Sequence, residues 1–118
     1  MKKKIAIIGS GVAGLVLGNL LKKSQSCDFM IYEKEDGLRF NEGYGIQLST
    51  NSISILNEID FDNIDEKQVF NPNKINFFSI KNKKICELDL NVFNRPDVKY
   101  TTLRRSTLVE FLKEKIYK

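Results

Sequence analysis

Three glycines near the start of the chain could bind phosphate. Gly9, Gly11 and Gly14 have the G-x-G-x-x-G spacing and follow the apolar run IAII. In such a turn the first glycine permits a tight bend, the second lets a pyrophosphate approach the backbone, and the third lets the next helix pack closely. The first residues of that helix, Val12 and Ala13, would offer N–H groups and the positive end of the helix dipole.

An acidic residue stands where such a turn needs a partner. Glu33 follows Gly14 by nineteen residues and ends the segment CDFMIYE. A carboxylate at this place accepts hydrogen bonds from the hydroxyls of an adenosine ribose. Taken alone, Glu33 is equally well read as a solvated charge at the end of a strand. In register with the glycines, it favours a nucleotide site.

The same N-terminal letters also have features of a secretory signal, because three lysines precede an apolar run that contains small residues. A signal core does not require an acid at this distance, and no clean small-residue cleavage site precedes Lys22. We therefore favour a nucleotide-binding site over a secretory signal that is cleaved off.

Other chemistries find little support in the composition. The chain has no histidine, which excludes histidine-based triads and histidine metal ligands. The carboxylates show no ligand spacing, so we expect no metal, and we assign no catalytic residue. Cys27 and Cys86 lie far apart in apolar stretches, which predicts two buried, reduced thiols in a cytoplasmic protein.

The chain is long enough for one domain, with 118 residues and a net charge of +4. Acidic residues separate the lysines, and no basic stripe with interleaved aromatics appears, so we do not expect nucleic acid as a partner. No apolar run reaches the length of a membrane span.

The elements that must position these residues form a strand–helix–strand unit. Residues 4–8 predict a strand buried on both faces of a parallel sheet, and CDFMIYEK predicts a second strand. In the helix between them, Gly18 indicates close packing on the sheet. The apolar side of this helix is assigned to four leucines: Leu15, Leu17, Leu20 and Leu21.

Further elements follow along the chain. A helix with Asn51 or Ser52 as its N-cap is predicted in TNSISILNEIDF, and a β-hairpin over 75–91. A last helix would begin after Ser106 or Thr107. The inward residues of these two helices are predicted to be Ile53, Leu56, Ile59, Leu108, Phe111, Leu112 and Ile116. The fold class is thus α/β: a Rossmann-like βαβ domain with a parallel sheet and an added antiparallel hairpin.

Three segments together resemble one family. IAIIGSGVAGLVLGNLLKKSQSCDFMIYEK, RFNEGYGIQLSTNSISILNEIDF and TLRRSTLVEFL are similar, in order and spacing, to the opening of the FAD-dependent aromatic hydroxylases and related flavin monooxygenases of the para-hydroxybenzoate hydroxylase type. The resemblance spans nearly the whole chain, and residues 60–100 are its least distinctive part.

The resemblance implies a set of FAD-binding residues. Gly9, Gly11 and Gly14 would hold the pyrophosphate, and Glu33 the adenosine ribose. The remaining members of the set are basic: Lys34 near the adenine, and Arg39 and Arg105 toward the phosphate or ribitol region. A guanidinium is a suitable forked donor for a pyrophosphate.

The resemblance also implies an incomplete protein, because the family is roughly three times this length. Its Asp-Gly motif has no counterpart, since Asp36-Gly37 comes too early, and no Gly-Asp pair occurs. We therefore expect residues 1–118 to be a single partial FAD/NAD(P)-binding domain, with 75–91 from the start of the substrate-domain region. NAD(P)H would be the reductant of the complete family.

Three functions remain open at this point. The chain is the FAD-binding portion of a monooxygenase that is a poor catalyst alone, a non-catalytic nucleotide-binding module or remnant, or a fragment of an NAD-dependent dehydrogenase. A portion that normally packs on further polypeptide exposes apolar surface, so we expect self-association, as a homodimer, through that surface.

Overall fold

The computed structural model describes residues 2–36 and 44–118. The predicted strand–helix–strand opening is present, and a mixture of strands and helices follows it. The strands are β1 (Lys3–Ile8), β2 (Cys27–Tyr32), β3 (Gly45–Leu48), β4 (Val69–Phe70), β5 (Lys74–Phe78), β6 (Lys84–Asp89) and β7 (Thr101–Arg104). The helices are α1 (Val12–Ser24), α2 (Thr50–Asn57) and α3 (Arg105–Tyr117), with short 3-10 turns between α2 and β4 and after β6.

Strands β1 and β2 pair in parallel, with Ile8 opposite Tyr32 at their carboxyl ends. Helix α1 covers one face of this pair. A Cβ atom added to Gly18 would lie 2.9 Å from Cδ1 of Ile31 and 2.6 Å from Cδ1 of Ile116. The close packing expected at Gly18 is therefore present, and it involves α3 as well as the sheet.

Within residues 2–36 and 44–118 the other face of the β1–β2 pair is open, so the expectation that β1 is buried on both faces is wrong. Ile8, Met30 and Tyr32 are 82%, 58% and 51% exposed, and Ala6 is exposed beside them. Side chains alternate between the faces of a strand, and α1 is the helix with the main contacts to both strands among the described residues. An apolar run in β1 thus meets a partner on one side alone.

A second sheet, which the sequence patterns did not predict, has the order β3–β7–β4 among the described strands and is antiparallel. The main core lies where this sheet and the three helices meet. Its buried members are Leu15, Ile53, Leu56, Ile59, Phe61, Leu103, Leu108, Val109 and Leu112. Of the stripes predicted for α2 and α3, Ile53, Leu56, Leu108 and Leu112 are buried in this core, while Phe111 and Ile116 pack against it partly buried. Ile59 is buried but lies beyond Asn57, where α2 ends. Leu17 of α1 is 45% exposed and was wrongly assigned inward.

Helices α1 and α3 are joined by polar side chains as well as by packing. The buried Asn19 donates from Nδ2 to the carbonyl oxygens of Leu15 and Leu112, at 2.9 Å each. Lys22 donates from Nζ to the carbonyl oxygens of Lys115 and Ile116, at 3.0 Å each. Because the last carbonyls of a helix lack partners within it, Lys22 caps α3 from outside.

Both helix starts differ from the predicted ones. Helix α2 follows Ser49, whose carbonyl accepts the Ile53 N–H at 3.0 Å, so neither Asn51 nor Ser52 is its N-cap. Helix α3 follows Arg104, so neither Ser106 nor Thr107 is its N-cap. Arg104 pairs with Gly45 in the β3–β7 ladder, and this pairing sets where β7 ends and the helix begins.

The hairpin expected over 75–91 is formed by β5 and β6, which pair antiparallel. Its side chains are mostly exposed, including Cys86, whereas Cys27 is half-buried. Both thiols are free within the described structure, but the prediction that both are buried is wrong, since Cys86 is exposed and Cys27 is only partly buried. The hairpin projects from the core, so its residues lack the cover that an apolar stretch usually has.

None of the helices in residues 2–36 and 44–118 has the length and apolar character to cross a membrane. The same residues contain no cluster of three or more histidine, cysteine, aspartate or glutamate side chains that could hold a metal ion.

Candidate nucleotide-binding site

The glycine turn leads from the carboxyl end of β1 into α1 and lies beside the carboxyl end of β2. Gly9 has a φ of +97°, a conformation that glycine adopts without the steric cost of a Cβ atom. Its N–H donates to the carbonyl oxygen of Tyr32 at 2.7 Å. This hydrogen bond joins the residue after β1 to Tyr32, the last residue of β2, and Glu33 is the next residue in the chain.

Gly14 and Gly11 meet different surroundings. A Cβ atom at Gly14 would lie 2.1 Å from the carbonyl oxygen of Gly9, so only glycine lets α1 pack this closely on the turn. A Cβ atom at Gly11 would meet no atom of the described residues within 4 Å. Gly11 has a φ of −70°, which every residue can adopt. Packing of the described residues therefore does not require glycine at position 11, whereas an approaching ligand would.

Glu33 is bonded to the glycine turn through Ser10. The backbone N–H and the hydroxyl of Ser10 donate to Oε2 of Glu33 at 2.7 and 2.9 Å. The N–H groups of Lys34 and Glu35 donate to Oε1 at 2.9 and 3.2 Å. The structure therefore brings the turn and the acid, which are separated in sequence, into one hydrogen-bonded unit.

These bonds stabilise the ionised form of the carboxylate. The Ser10 N–H, followed by the Ser10 hydroxyl and the Glu35 N–H, lowers the pKa of Glu33 from 4.5 to about 2. Donors favour the ionised form of an acid because they stabilise its negative charge. Glu33 is consequently an anion throughout the physiological pH range and can act only as a hydrogen-bond acceptor.

The start of α1 faces the same turn. Val12 is the first residue of the helix, and Ala13, next to it, is exposed. No acidic side chain lies in this first turn of α1, which is described in full. The positive end of the helix dipole therefore has no counter-charge within its own turn and is suited to an anion.

The basic residues of the predicted set are less closely tied to the turn. Lys34 is exposed and contributes its backbone N–H to Glu33. Arg105 is the first residue of α3, donates its N–H to the carbonyl oxygen of Tyr44 at 3.1 Å, and holds its guanidinium 5.9 Å from the centre of the Tyr44 ring. Arg39 lies outside the described residues.

Sequence reasoning missed Ser10 as a member of this unit. The available signal was a hydroxyl side chain between two glycines, in register with an acid at the end of the neighbouring strand. Ser10 is 7% exposed, and a buried hydroxyl in a protein normally has a hydrogen-bond partner. Its partner is the acid that the spacing rule had already selected.

One family model matches the segment that contains this unit. Residues 7–41 match the NAD(P)-binding Rossmann-like domain. No curated protein matches the chain at a significant level.

Solved structures resemble nearly the whole chain. A 2-methyl-3-hydroxypyridine-5-carboxylic acid oxygenase matches with a TM-score of 0.76 and 23% identity, over 99% of this chain and 30% of its own. Klebsiella pneumoniae HpxO, solved with FAD and uric acid, matches with a TM-score of 0.72 and 18% identity, over 94% of this chain and 28% of its own.

A third match is the 2,6-dihydroxypyridine-3-hydroxylase of Arthrobacter nicotinovorans, with a TM-score of 0.65, 14% identity, and coverage of 97% of this chain and 26% of its own. The chain thus spans no more than about a third of the length of these enzymes. At these identities the likeness concerns the fold: the chain has the α/β fold of a Rossmann-like domain, as part of these oxygenases does.

Proposed function

We propose that the chain is the FAD-binding portion of a flavin-dependent monooxygenase, as its resemblance to the aromatic hydroxylases implies. The observation that carries this proposal is the hydrogen-bonded unit of glycine turn and Glu33 at the carboxyl ends of β1 and β2. Nucleotides bind at this end of open α/β sheets. The fold matches from oxygenases, one of them solved with FAD, favour FAD as the nucleotide.

The residues present fit a dinucleotide. A pyrophosphate needs open space beside Gly11 and free N–H donors at Val12 and Ala13, and the described structure offers both. A ribose needs an ionised acceptor, which Glu33 provides. We assign the adenine side to Lys34 and the phosphate or ribitol region to Arg39 and Arg105, as the family resemblance implies.

Bound FAD would supply the redox chemistry, namely reduction by NAD(P)H and reaction with oxygen. We propose that residues 1–118 form one nucleotide-binding unit and that the hairpin over 75–91 belongs to the substrate side of the complete enzyme. We expect this chain by itself to hold FAD without turnover, and NADPH oxidation by the isolated chain would contradict that expectation.

Two further proposals concern the partners of the chain and its cellular compartment. The exposed apolar face of β1 and β2, around Met30 and Tyr32, supports self-association of the chain or contact with further polypeptide. Two free thiols, Cys27 and Cys86, support a reducing compartment such as the cytoplasm.

A second candidate is NAD binding, as in a dehydrogenase fragment, because the matching family model describes an NAD(P)-binding domain. Glu33 suits the ribose of either nucleotide. Calorimetric titration with FAD and with NAD separates the two, and tighter binding of NAD would replace the flavin proposal.

The test of the site itself is substitution of Gly11. Gly11→Leu should abolish FAD binding while the melting temperature stays near that of the unchanged protein, because its backbone angles suit any residue and the described atoms leave space. Gly11→Ala should weaken binding less. Gly14→Ala is the contrast: its Cβ atom collides with the Gly9 carbonyl and should cost about 1–3 kcal/mol of stability. Unchanged FAD affinity in Gly11→Leu would place the pyrophosphate elsewhere.

A further inference from the structure

Ser10 makes contacts in this site that the glycine spacing does not predict. It lies between Gly9 and Gly11, is 7% exposed, and gives both of its donors to one oxygen, Oε2 of Glu33. A buried residue that commits its backbone and its side chain to the same carboxylate oxygen fixes that oxygen in place. Bonds to an ionised acceptor are also stronger than neutral ones.

The two oxygens of Glu33 differ in how firmly they are held. Oε2 faces the buried Ser10, whereas Oε1 faces the N–H groups of Lys34 and Glu35, two exposed residues that follow it in the chain. The bond from Glu35 is the longest of the set at 3.2 Å. Oε1 is therefore the oxygen whose partners can exchange at the lowest cost.

The described donors already fill the carboxylate. A carboxylate offers about four lone-pair positions, and Ser10, Lys34 and Glu35 occupy as many between them. A ribose hydroxyl can therefore bond to Glu33 only by replacing one of these donors. Replacement of a Ser10 donor would detach the acid from the turn, whereas replacement of the Glu35 N–H leaves that connection intact.

We propose that Ser10 is the positioning residue of the nucleotide site: it holds Oε2 of Glu33 on the glycine turn, so that Oε1 receives the ribose hydroxyl in exchange for the Glu35 N–H. This inference rests on the proposed nucleotide binding and deepens it. It assigns separate tasks to the two oxygens, one for the protein and one for the ligand.

The first experiment needs no ligand. Carbon-13 NMR titration of the Glu33 carboxyl in the full chain should give a pKa of about 2, and Ser10→Ala should raise it toward the ordinary value, since the hydroxyl bond is lost. Ser10→Thr keeps a hydroxyl and should restore the low value. Ser54→Ala, at an exposed position of α2, is the control. A Glu33 titration that is the same in Ser10→Ala and in the unchanged chain would overturn the proposal.

The second experiment adds FAD. Calorimetry should show roughly tenfold weaker binding by Ser10→Ala, the loss expected from one charge-assisted hydrogen bond, with Ser10→Thr and Ser54→Ala close to the unchanged chain. If the unchanged chain binds FAD and Ser10→Ala binds it equally well, the role of Ser10 fails alone. If the unchanged chain binds neither FAD nor NAD, the proposed function fails, and the ribose assignment fails with it.

The third experiment uses the unchanged sequence and so does not depend on a variant that folds. On addition of FAD, the amide of Glu35 should exchange faster with solvent, while the amide of Ser10 stays protected. Loss of protection at Ser10 with Glu35 unchanged would reverse the assignment of the two oxygens and overturn the proposal.

Discussion

At the scale of single residues, the charge of Glu33 connects the site to stability. The folded protein holds the pKa of this carboxyl at about 2, below the 4.5 of the free side chain. A group with a lowered folded pKa stabilises the folded state above its unfolded pKa, and this contribution is lost as the pH falls through the folded value. The stabilisation should therefore be complete above pH 4.5 and decline toward pH 2.

Glu33→Gln tests this dependence. The substitution removes the charge and turns an NH₂ group toward backbone donors, so the variant should unfold at lower urea concentration than the unchanged chain at pH 7. The gap between the two should be constant above about pH 5 and narrow toward pH 3. Urea denaturation of both proteins at pH 7, 5 and 3 measures it, and comparison of the pair cancels the acid response of other carboxylates such as Asp60 and Glu87, whose pKa values are also lowered. A gap of equal size at all three pH values would contradict the prediction.

At the scale of elements, helix α1 carries one leucine that is buried in the core and another that is exposed. Leu15 is 1% exposed and Leu17 is 45% exposed, although both leucines belong to the same helix. Leu15→Ala removes a buried side chain and should lower the free energy of unfolding by about 2–5 kcal/mol. Leu17→Ala is the matched control and should change it by no more than about 0.5 kcal/mol. Chemical denaturation measures both, and equal losses would show that Leu17 is packed after all.

The sequence predicts the features of these elements that depend on local patterns. The βαβ order, Gly18 and the stripes of α2 and α3 were predictable because they depend on local period and on single residues. The contact of Asn19 with the Leu112 carbonyl joins positions far apart in the chain, and no local pattern encodes it. The start of α3 was missed for the same reason, because pairing of Arg104 with Gly45 overrides the serine and threonine that follow.

For the site, the spacing rule selected Gly9, Gly11, Gly14 and Glu33, and the structure places the turn and the acid together. The spacing rule alone does not select Ser10, because its variable positions carry no residue preference. The hydroxyl between two glycines was the additional signal. The roles of these residues toward FAD, and those of Lys34, Arg39 and Arg105, remain predictions that the binding experiments test.

At the scale of the whole molecule, the chain has more open surface than a compact domain of its length. Its radius of gyration is 17.0 Å, compared with about 13 Å for a compact domain of roughly 100 residues. The β5–β6 hairpin projects, no described residue covers one face of the β1–β2 pair, and an apolar groove of about 440 Å³ lies between α1 and α2. Parallel strands are normally covered on both faces. We therefore expect the open face of β1 and β2 to be the surface through which the chain associates.

A charge placed on that face should therefore reduce self-association. Met30 lies in the middle of β2, opposite Ala6, and is 58% exposed. Met30→Lys should leave the fold intact but weaken association roughly tenfold or more, because an interface would have to bury an unpaired ammonium group. Ile85→Lys is the matched control, since it introduces the same charge at a side chain that is 67% exposed on the hairpin. Light scattering over a concentration series measures both variants. If Met30→Lys associates as strongly as the unchanged chain and only Ile85→Lys is weakened, the contact lies on the hairpin instead. If the unchanged chain stays monomeric at every concentration, self-association itself is contradicted.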